Sequence, residues 1–235
     1  MTDQLEKKAV VLLSGGIDSA TTLAVAKAQG YKVLAVSFNY GQRHILELEA
    51  AGKTARALKA ETHIVINVDF KKIGGSALTG TMDIPKHDRV DEIENSEDIP
   101  VTYVPARNTI FLSYGLALAE VHCCKAIFIG VTAVDYSGYP DCRMEYITAF
   151  EKMANLATRA GVTDKIHLKI KTPLIHLSKG EIIQKGISLG VNYALTLSCY
   201  DPDPKGRSCG RCDSCLHRKK GFAQAKVADP TIYVD

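Results

Sequence analysis

Four cysteines near the C-terminus have a spacing that suits a metal ion. Cys199, Cys209, Cys212 and Cys215 follow the pattern C-x9-C-x2-C-x2-C, and four thiolates can hold a tetrahedral Zn²⁺ with no coordination position left open. The spacing therefore predicts one structural zinc ion per chain. Two alternatives stay open, because tight cysteine repeats also hold iron–sulfur clusters and a C-x-x-C pair can act as a redox centre.

A glycine-rich turn is the second candidate site, and it reads Ser-Gly-Gly-Ile-Asp-Ser from Ser14 to Ser19. Two glycines allow a tight turn close to a ligand, and a helix that starts here offers unpaired N–H groups and its positive dipole end to a phosphate. The turn lacks the Lys of a Walker P-loop and also lacks G-x-G-x-x-G, which disfavours ordinary kinase and dinucleotide sites. For Asp18 two roles remain open, capping the helix or helping to hold Mg²⁺.

Alternating strands and helices are predicted to position this turn. Apolar runs predict strands at 9–13, 33–38, 62–68, 126–131 and 166–170. Helical periodicity predicts helices at 18–29, 42–59, 110–121 and 144–157, and a capping box at 178–181 predicts another. The fold class is therefore α/β, with a mostly parallel, five-stranded, doubly wound sheet. Ligands bind beyond the carboxyl ends of the strands in such sheets, where the glycine turn lies.

The chain divides by composition into two regions. Residues 1–194 are predicted to form a nucleotide-binding α/β domain, and residues 195–235 a small four-cysteine zinc-binding region with a C-terminal tail. Residues 71–100 break the alternation with glycines, a proline and an acidic stretch. They are predicted to form a surface excursion that is mobile or covers a site. We expect the helix at 110–121 to be buried, because it is apolar on nearly every side.

Composition and charge exclude several classes of protein. The chain has 235 residues, 46% of them hydrophobic and 23% charged, and a formal net charge of +3. These values are ordinary for a soluble globular protein, and the charge is too small for a nucleic-acid-coating protein. The longest apolar run is far shorter than the about 20 residues of a membrane span. The N-terminus has no signal-peptide pattern, and the seven cysteines cannot form a complete disulfide set. We expect a cytoplasmic location and no membrane partner.

Five segments resemble known proteins. The Ser-Gly-Gly-x-Asp-Ser turn resembles the pyrophosphate-binding loop of the adenine nucleotide α-hydrolase group, the N-type ATP pyrophosphatases, which cut ATP between its α- and β-phosphates. Four further blocks resemble the 7-cyano-7-deazaguanine synthase family of queuosine biosynthesis. They are Tyr-Gly-Gln-Arg-His at 40–44 with Glu47, Val-Pro-Ala-Arg-Asn at 104–108, Ser-Gly-Tyr-Pro-Asp-Cys-Arg at 137–143, and Ser-Cys-Tyr at 198–200 with the later cysteines. The blocks in this order are specific, and the resemblance extends from residue 13 to residue 215.

The resemblance implies a complete reaction. Its substrates would be 7-carboxy-7-deazaguanine, ammonia and ATP, and its product 7-cyano-7-deazaguanine. ATP would adenylate the carboxylate, ammonia would displace AMP to give an amide, and a second ATP would activate the amide oxygen before the nitrile forms. The family also implies Mg²⁺ with ATP, one structural Zn²⁺ per chain, and a homodimer.

Candidate site residues follow from these matches. The ATP-binding set comprises Leu13, Ser14, Gly15, Gly16, Ile17, Asp18, Ser19, Ala20, Thr21, Thr22, Leu23 and His44. Arg43, Arg107 and Lys179 are the candidate catalytic charge partners of the phosphates. For Lys179 the argument is physical, because a cation at a helix start opposes the helix dipole unless an anion compensates it. His44 stays open between a ligand contact and a turn residue.

The base of the substrate presents an N1–H and an exocyclic amine, and one carboxylate can accept hydrogen bonds from both. Asp141 is the first candidate for this role and Asp135 the second, while Tyr136 or Tyr139 could stack on the base. A surface loop without a ligand is the alternative for this block. Cys142 is a weak candidate for a covalent nucleophile, since adenylation already activates the substrate. The adjacent pair Cys123 and Cys124 is predicted to belong to the core.

Two rival functions remain open. A tRNA-thiolating or lysidine-forming enzyme would share the loop and the adenylation step, but the compact length and modest net charge argue against it. A zinc-ribbon binding module with a degenerate nucleotide fold is the other rival, and the intact glycine turn argues against it. The basic residues around the cysteines could contact RNA, although such charges more often form a solvated surface. We therefore expect small-molecule substrates and no nucleic-acid partner.

Overall fold

A computed structural model describes residues 6–42, 45–94, 98–132, 139–163 and 166–234. Its sheet has five parallel strands in the order β3-β2-β1-β4-β5. The strands are β1 (Lys8–Leu12), β2 (Lys32–Asn39), β3 (Thr62–Asn67), β4 (Ala126–Phe128) and β5 (Lys169–Lys171). The predicted five-stranded parallel α/β sheet is thus confirmed.

Helices connect the strands and cover both faces of the sheet. Within the described ranges they are α1 (Ile17–Ala28), α2 (Leu46–Ala57), α3 (Asp91–Glu94), α4 (Arg107–Val121), α5 (Met144–Ala157), α6 (Arg159–Val162), α7 (Lys179–Ser188) and α8 (Asp213–Ala225), with 3₁₀ turns at Pro140–Cys142 and Tyr193–Leu195. Among these ranges, no helix combines the length and apolar character that crossing a bilayer would require.

The central strand β1 buries both of its faces, as parallel strands between helix layers do. Val10 and Leu12 pack in one apolar cluster, which also contains side chains of α4 and α5. Ala9 and Val11 belong to a second cluster on the other face, together with side chains of α1 and α2. The alternation of neighbouring residues between two cores explains why β1 is a continuous apolar run in the sequence.

Helix α4 is less buried than its apolar composition predicts. Leu112, Gly115 and Ala119 are buried, but Tyr114 is 40% exposed and Val121 is 75% exposed. The sequence expectation of a buried helix is therefore wrong for one side of α4, because its inner face alone contacts the sheet.

The C-terminal region shares its core with the rest of the chain. Phe222 and Ala225 of α8 belong to one apolar cluster with Ile17 of α1 and Ile182 of α7. The excursion at 71–100 also contacts this region, since the His87 N–H donates to the Arg211 carbonyl oxygen at 2.8 Å. The division at residues 194 and 195 stays a prediction, and it marks a change of composition rather than a separate core.

Candidate active site

The carboxyl ends of β1 and β4 open onto a cavity of about 230 Å³. The chain runs from β1 to β2 on one side and later places β4 on the other side of β1. Loops on either side of such a reversal leave a crevice, and ligands of open α/β sheets bind there. The turn after β1, residues 129–131 after β4, and the start of α4 all line this cavity.

The glycine turn is held rigidly against α2. Gly15 has a φ of +95°, and a Cβ at this position would lie 2.4 Å from the Glu47 carbonyl oxygen. The Ser14 hydroxyl donates to the Ser19 Oγ at 3.0 Å, and the Ser19 Oγ accepts the Gly15 N–H at 3.2 Å. Gly16 is the N-cap of α1 and gives it no side-chain cap. The amides of the first turn are therefore available to an anion.

Asp18 and Lys179 form an ion pair beside this turn. The Lys179 Nζ donates to both Asp18 carboxylate oxygens, at 2.9 and 2.7 Å. Their side chains are only 24% and 13% exposed, for Asp18 and Lys179 respectively. Asp18 lies inside α1 rather than at its N-cap, so the capping role left open for it is wrong. Asp18 lines the cavity, and its carboxylate supplies part of the negative charge that compensates the positive Lys179 at the start of its helix.

Lys179 is held by two helices. It is the first residue of α7, where the Ser178 side chain accepts the Glu181 N–H and completes the predicted capping box. A Cβ at Gly221 of α8 would lie 2.3 Å from the Lys179 Cγ. Glycine at this point of α8 therefore leaves room for the lysine side chain to reach Asp18.

Apart from Gly15, which packs against α2, the predicted ATP-binding residues that the structure describes divide into two groups. Cavity-lining residues are Leu13, Ser14, Gly16, Ile17, Asp18 and Ser19. Buried residues of α1 are Ala20, Thr21, Thr22 and Leu23. The Thr21 hydroxyl is occupied, since it donates to the Ile17 carbonyl oxygen at 2.9 Å and lies 2.7 Å from the Tyr193 hydroxyl. Because the four residues of the second group are buried, they support the turn from within α1.

Aromatic rings form another wall of the cavity. Phe38 and Phe111 stack with ring centroids 3.9 Å apart, and the Tyr40 ring tilts against Phe111 at 5.7 Å. All three residues line the cavity. A flat aromatic surface of this kind suits stacking with a purine-like base.

Arg107 brings a positive charge to the aromatic wall. Its guanidinium carbon lies 5.9 Å from the Tyr40 ring centroid. Burial opposes the charge of Arg107, but the surrounding oxygen-bearing groups outweigh burial and raise its pKa, so the guanidinium stays protonated. These groups belong to Tyr40, Tyr139, Tyr200 and Asp141. The residue before it, Ala106, adopts a left-handed φ of +53°. Such a conformation costs about 1 kcal/mol for a non-glycine residue and sets the direction in which α4 begins.

Asp141 has a different environment from the one expected for a base-binding carboxylate. It is buried, its Oδ2 accepts the Asn108 backbone N–H at 2.9 Å, and its Oδ1 lies 3.3 Å from the Asn108 Nδ2. These contacts tie the 3₁₀ turn at Pro140–Cys142 to the start of α4. Tyr139, which precedes this turn, and Cys142, its last residue, line the cavity instead. A substrate contact of Asp141 stays a prediction that this geometry does not favour.

Four of the expected site residues lie outside the described residues. They are Arg43 and His44 after β2, and Asp135 and Tyr136 between β4 and the 3₁₀ turn. Their roles stay predictions. Described residues on either side, Gln42 and Tyr139, do line the cavity.

Glu47 lines the same cavity from the first turn of α2. Its carboxyl group is half-buried, and desolvation raises the pKa of Glu47 to about 7, although the positive charge of Arg107 partly opposes this rise. A carboxyl group with such a pKa exchanges protons at neutral pH.

The four C-terminal cysteines converge as their spacing predicts. Their sulfur atoms all lie within 4.8 Å of one another, and tetrahedral zinc would place them about 3.8 Å apart, given Zn–S bonds of about 2.3 Å. Backbone N–H groups of residues 200, 201, 209 and 212 donate to sulfur atoms of the cluster at 3.2 to 3.5 Å. Such donors stabilise thiolates over thiols, so the cluster fits a metal ion that takes four sulfur ligands.

The cysteine cluster is joined to the cavity. Ser198 and Tyr200 flank Cys199 in sequence and line the cavity, and the Leu197 N–H donates to the Gly15 carbonyl oxygen at 3.0 Å. The buried guanidinium of Arg218 in α8 donates to Thr196 Oγ1 at 2.9 Å. The segment that enters the metal-binding region is therefore also a wall of the cavity.

Sequence reasoning assigned no site role to several cavity residues. Tyr40, Gln42, Glu47, Asn108, Ser198 and Tyr200 belong to the blocks that carry the family resemblance, and that membership was the available signal. Phe38, Phe111 and Ser214 also line the cavity. They lie within ordinary strand and helix patterns, and nothing in the sequence distinguishes them.

Comparisons with known proteins agree with this geometry. Relatives named 7-cyano-7-deazaguanine synthase are 62% identical in Desulfatibacillum aliphaticivorans, over 97% of both chains, and 62% identical in Syntrophus aciditrophicus, also over 97% of both chains. The solved NMN synthetase of Francisella tularensis has a TM-score of 0.50 at 16% identity, covering 95% of this chain and 78% of that one. That likeness concerns the fold alone. The family model described as queuosine biosynthesis protein QueC matches residues 8–226, and the chain therefore belongs to the QueC family.

Proposed function

We propose that this protein converts 7-carboxy-7-deazaguanine and ammonia to 7-cyano-7-deazaguanine, using two molecules of ATP that each release AMP and pyrophosphate. The single observation that carries the proposal is the glycine turn, whose uncapped helix start lines the same cavity as Arg107 and the aromatic wall. The family to which the chain belongs and the names of its relatives support the same reaction.

Adenylation is required because a carboxylate oxygen is a poor leaving group. The amides of the first turn of α1 would bind the β- and γ-phosphates. Arg107 and the proposed Arg43 would neutralise charge that develops at the α-phosphorus. Asp18 offers carboxylate oxygens, which Mg²⁺ prefers as ligands. Lys179 holds this carboxylate in place, and it contributes positive charge at the same edge of the cavity.

The aromatic wall of Phe38, Tyr40 and Phe111, together with Tyr139, would bind the deazaguanine. Tyr139 stacks near Tyr103 with ring centroids 5.8 Å apart, and the Tyr139 hydroxyl lies 3.2 Å from Thr102 Oγ1. These contacts hold Tyr139 in one orientation at the cavity. The candidate carboxylate for the guanine edge is then Asp135 rather than Asp141, whose oxygens already accept from Asn108.

The cysteine cluster would hold one Zn²⁺. Four thiolates leave no open coordination position, so the ion would be structural. Its role would be to fix the chain on both sides of Cys199, where Ser198 and Tyr200 line the cavity. A homodimer and a cytoplasmic location complete the proposal, and light scattering of the purified protein tests the first of these.

Exchange of labelled pyrophosphate into ATP tests the adenylation step separately from later chemistry. With 7-carboxy-7-deazaguanine but no ammonia, we expect exchange that depends on the acid, because adenylation of the carboxylate is reversible. Guanine, which lacks the carboxylate, is the matched control ligand. Exchange with tRNA and not with the acid would refute the proposed substrate.

A further inference from the structure

Glu47 is a carboxylate that lines the cavity and accepts no hydrogen bond from another described side chain. Asp18 is bound to Lys179, and Asp141 accepts from Asn108. In the part of the chain that the structure describes, no hydrogen bond holds the Glu47 carboxyl group, although Arg107 acts on it electrostatically. As far as the described residues go, the carboxylate is therefore available to a ligand in the cavity.

The position of Glu47 is fixed relative to the glycine turn. Its backbone carbonyl is the atom that approaches Gly15 so closely that no Cβ fits between them. A group placed here keeps a constant distance from phosphates bound at the turn. Tyr40 lines the same cavity as Glu47.

The proposed reaction needs a base that the phosphate-binding residues do not supply. Ammonia is mostly ammonium at neutral pH, and ammonium has no lone pair with which to attack a carbonyl. The amide must later lose both N–H protons before it becomes a nitrile. The cations of the site cannot accept these protons, and a carboxylate can.

We propose that Glu47 binds ammonium in this cavity and removes the protons that its nitrogen loses on the way to the nitrile. This inference rests on the proposed function. A carboxylate beside aromatic rings suits ammonium, because both the negative charge and the ring faces attract a cation. The residue thus acts as the general base of both halves of the reaction.

The protons and bonds balance in each half. In the first, Glu47 takes a proton from ammonium, the free nitrogen forms a bond to the acyl carbon, and the C–O bond to AMP breaks with its electron pair on AMP. Glu47 passes this proton to solvent, and as a carboxylate again it takes the extra proton from the amide nitrogen and passes that one to solvent as well. In the second, the amide oxygen attacks the α-phosphorus and releases pyrophosphate, while Glu47 takes one N–H proton. Glu47 releases this proton to solvent and then takes the last N–H proton as AMP leaves and the nitrile forms.

Desolvation brings the pKa of the Glu47 carboxyl group to about 7. Arg107 of α4 favours the carboxylate, whereas desolvation opposes it and prevails. Tyr40, Tyr200 and Asp18 line the same cavity from three other segments. A base whose pKa matches the working pH is the efficient choice for repeated proton transfer.

Replacing ammonia by hydroxylamine tests the inference, because hydroxylamine is a neutral nucleophile at pH 7. We expect Glu47→Gln to lower amide formation about 100-fold or more, while hydroxamate formation and acid-dependent pyrophosphate exchange stay near wild type. Glu49→Gln, an exposed residue of the same helix, is the matched control and should retain both reactions. Equal losses with both nucleophiles, or unchanged amide formation, would overturn the inference.

The pH dependence of the unaltered protein gives a second test that needs no variant. With a base of this kind, the rate at subsaturating total ammonium should rise up to about pH 7 and then level off. A rate that continues to rise to about pH 8.5 would mean that free ammonia enters without help, and would contradict the inference. If the wild type shows no acid-dependent pyrophosphate exchange, the proposed function fails, which is a distinct result.

Discussion

Lys179 binds both carboxylate oxygens of Asp18, at 2.9 and 2.7 Å, across 161 positions of sequence. The contact joins the first turn of α7 to the first turn of α1, so two helix starts lie at one edge of the cavity. A cation at one helix start and an anion at the other compensate each other there.

Removal of Lys179 is expected to weaken ATP use. In Lys179→Ala, Asp18 would lie beside the phosphates without its partner, so kcat/KM for ATP should fall about 10- to 100-fold, which corresponds to about 1.4 to 2.7 kcal/mol. Lys185→Ala, on the exposed side of the same helix, should behave like wild type. Pyrophosphate exchange at several ATP concentrations measures the change, and equal kinetics for both variants would contradict the assigned role.

Gly15 and Gly30 allow the effect of space to be separated from that of backbone conformation. Both have a left-handed φ, +95° and +79°, but a Cβ at Gly30 would meet nothing within 4 Å. Gly30→Ala should therefore cost about 1 to 2 kcal/mol of stability and leave activity intact. Gly15→Ala should displace α2 and abolish pyrophosphate exchange. Retained exchange in Gly15→Ala would show that the turn does not need this close packing.

Loss of the metal is expected to loosen both the C-terminal region and the cavity wall. Elemental analysis should find about one zinc per chain, and Cys212→Ser should lower both the zinc content and the melting temperature. Cys123 lies outside the cluster and is exposed, so its predicted place in the core is wrong, whereas Cys124 is buried as predicted. Cys123→Ser should therefore have no such effect. A Cys212→Ser protein that is fully stable but inactive would contradict the structural role of the metal.

The ion pair between Arg218 and Asp229 is expected to hold the C-terminal tail. The Arg218 side chain is 2% exposed, and its Nε donates to both Asp229 oxygens at 3.0 and 3.1 Å. Arg218→Ala removes the fully buried member of the pair, leaves the half-buried Asp229 carboxylate without it, and should cost about 3 to 5 kcal/mol. Arg89→Ala, which breaks an exposed pair with Asp91, should cost less than about 1 kcal/mol. Urea unfolding measures both, and similar values would refute the difference.

Asp229 should make stability depend on acidic pH. Burial opposes its charge, but hydrogen bonds from Arg218 and Tyr233 outweigh burial and lower the pKa of Asp229. Stability from this group is therefore complete above its unfolded pKa of about 4 and is lost as the pH falls through its lower folded pKa. Asp229→Asn should be less stable than wild type at pH 7, and the difference should shrink below about pH 4. A constant difference would contradict this assignment.

Local patterns sufficed to predict much of this fold. The apolar run before Ser14 became β1, and the Ser178–Glu181 spacing became a capping box. The alternation of strands and helices predicted a parallel sheet, because parallel strands need a crossover between them. The four cysteines converge because Cys212 and Cys215 start α8, which presents them on its first turn.

Other features depend on contacts between distant segments, which one sequence does not reveal. The Asn108 backbone N–H donates to the Asp141 carboxylate, so a residue that was assigned to the substrate instead supports the start of α4. In the sequence, Glu47 looks like an ordinary glutamate on a helix surface. Only the folded chain places it in the cavity near Arg107. Lys179 was selected from its position at a helix start, but its partner Asp18 comes from tertiary packing.

Mass spectrometry of the complete reaction is the sharpest test of the proposed conversion of the acid to the nitrile. Purified protein would be incubated with 7-carboxy-7-deazaguanine, ammonium, ATP and Mg²⁺, and the deazapurine and adenine nucleotide products would be quantified. We expect 7-cyano-7-deazaguanine as the product, two AMP for each nitrile, and the amide as a transient species. Absence of the nitrile despite acid-dependent release of AMP, or release of AMP with tRNA as the only acceptor, would contradict the proposed conversion.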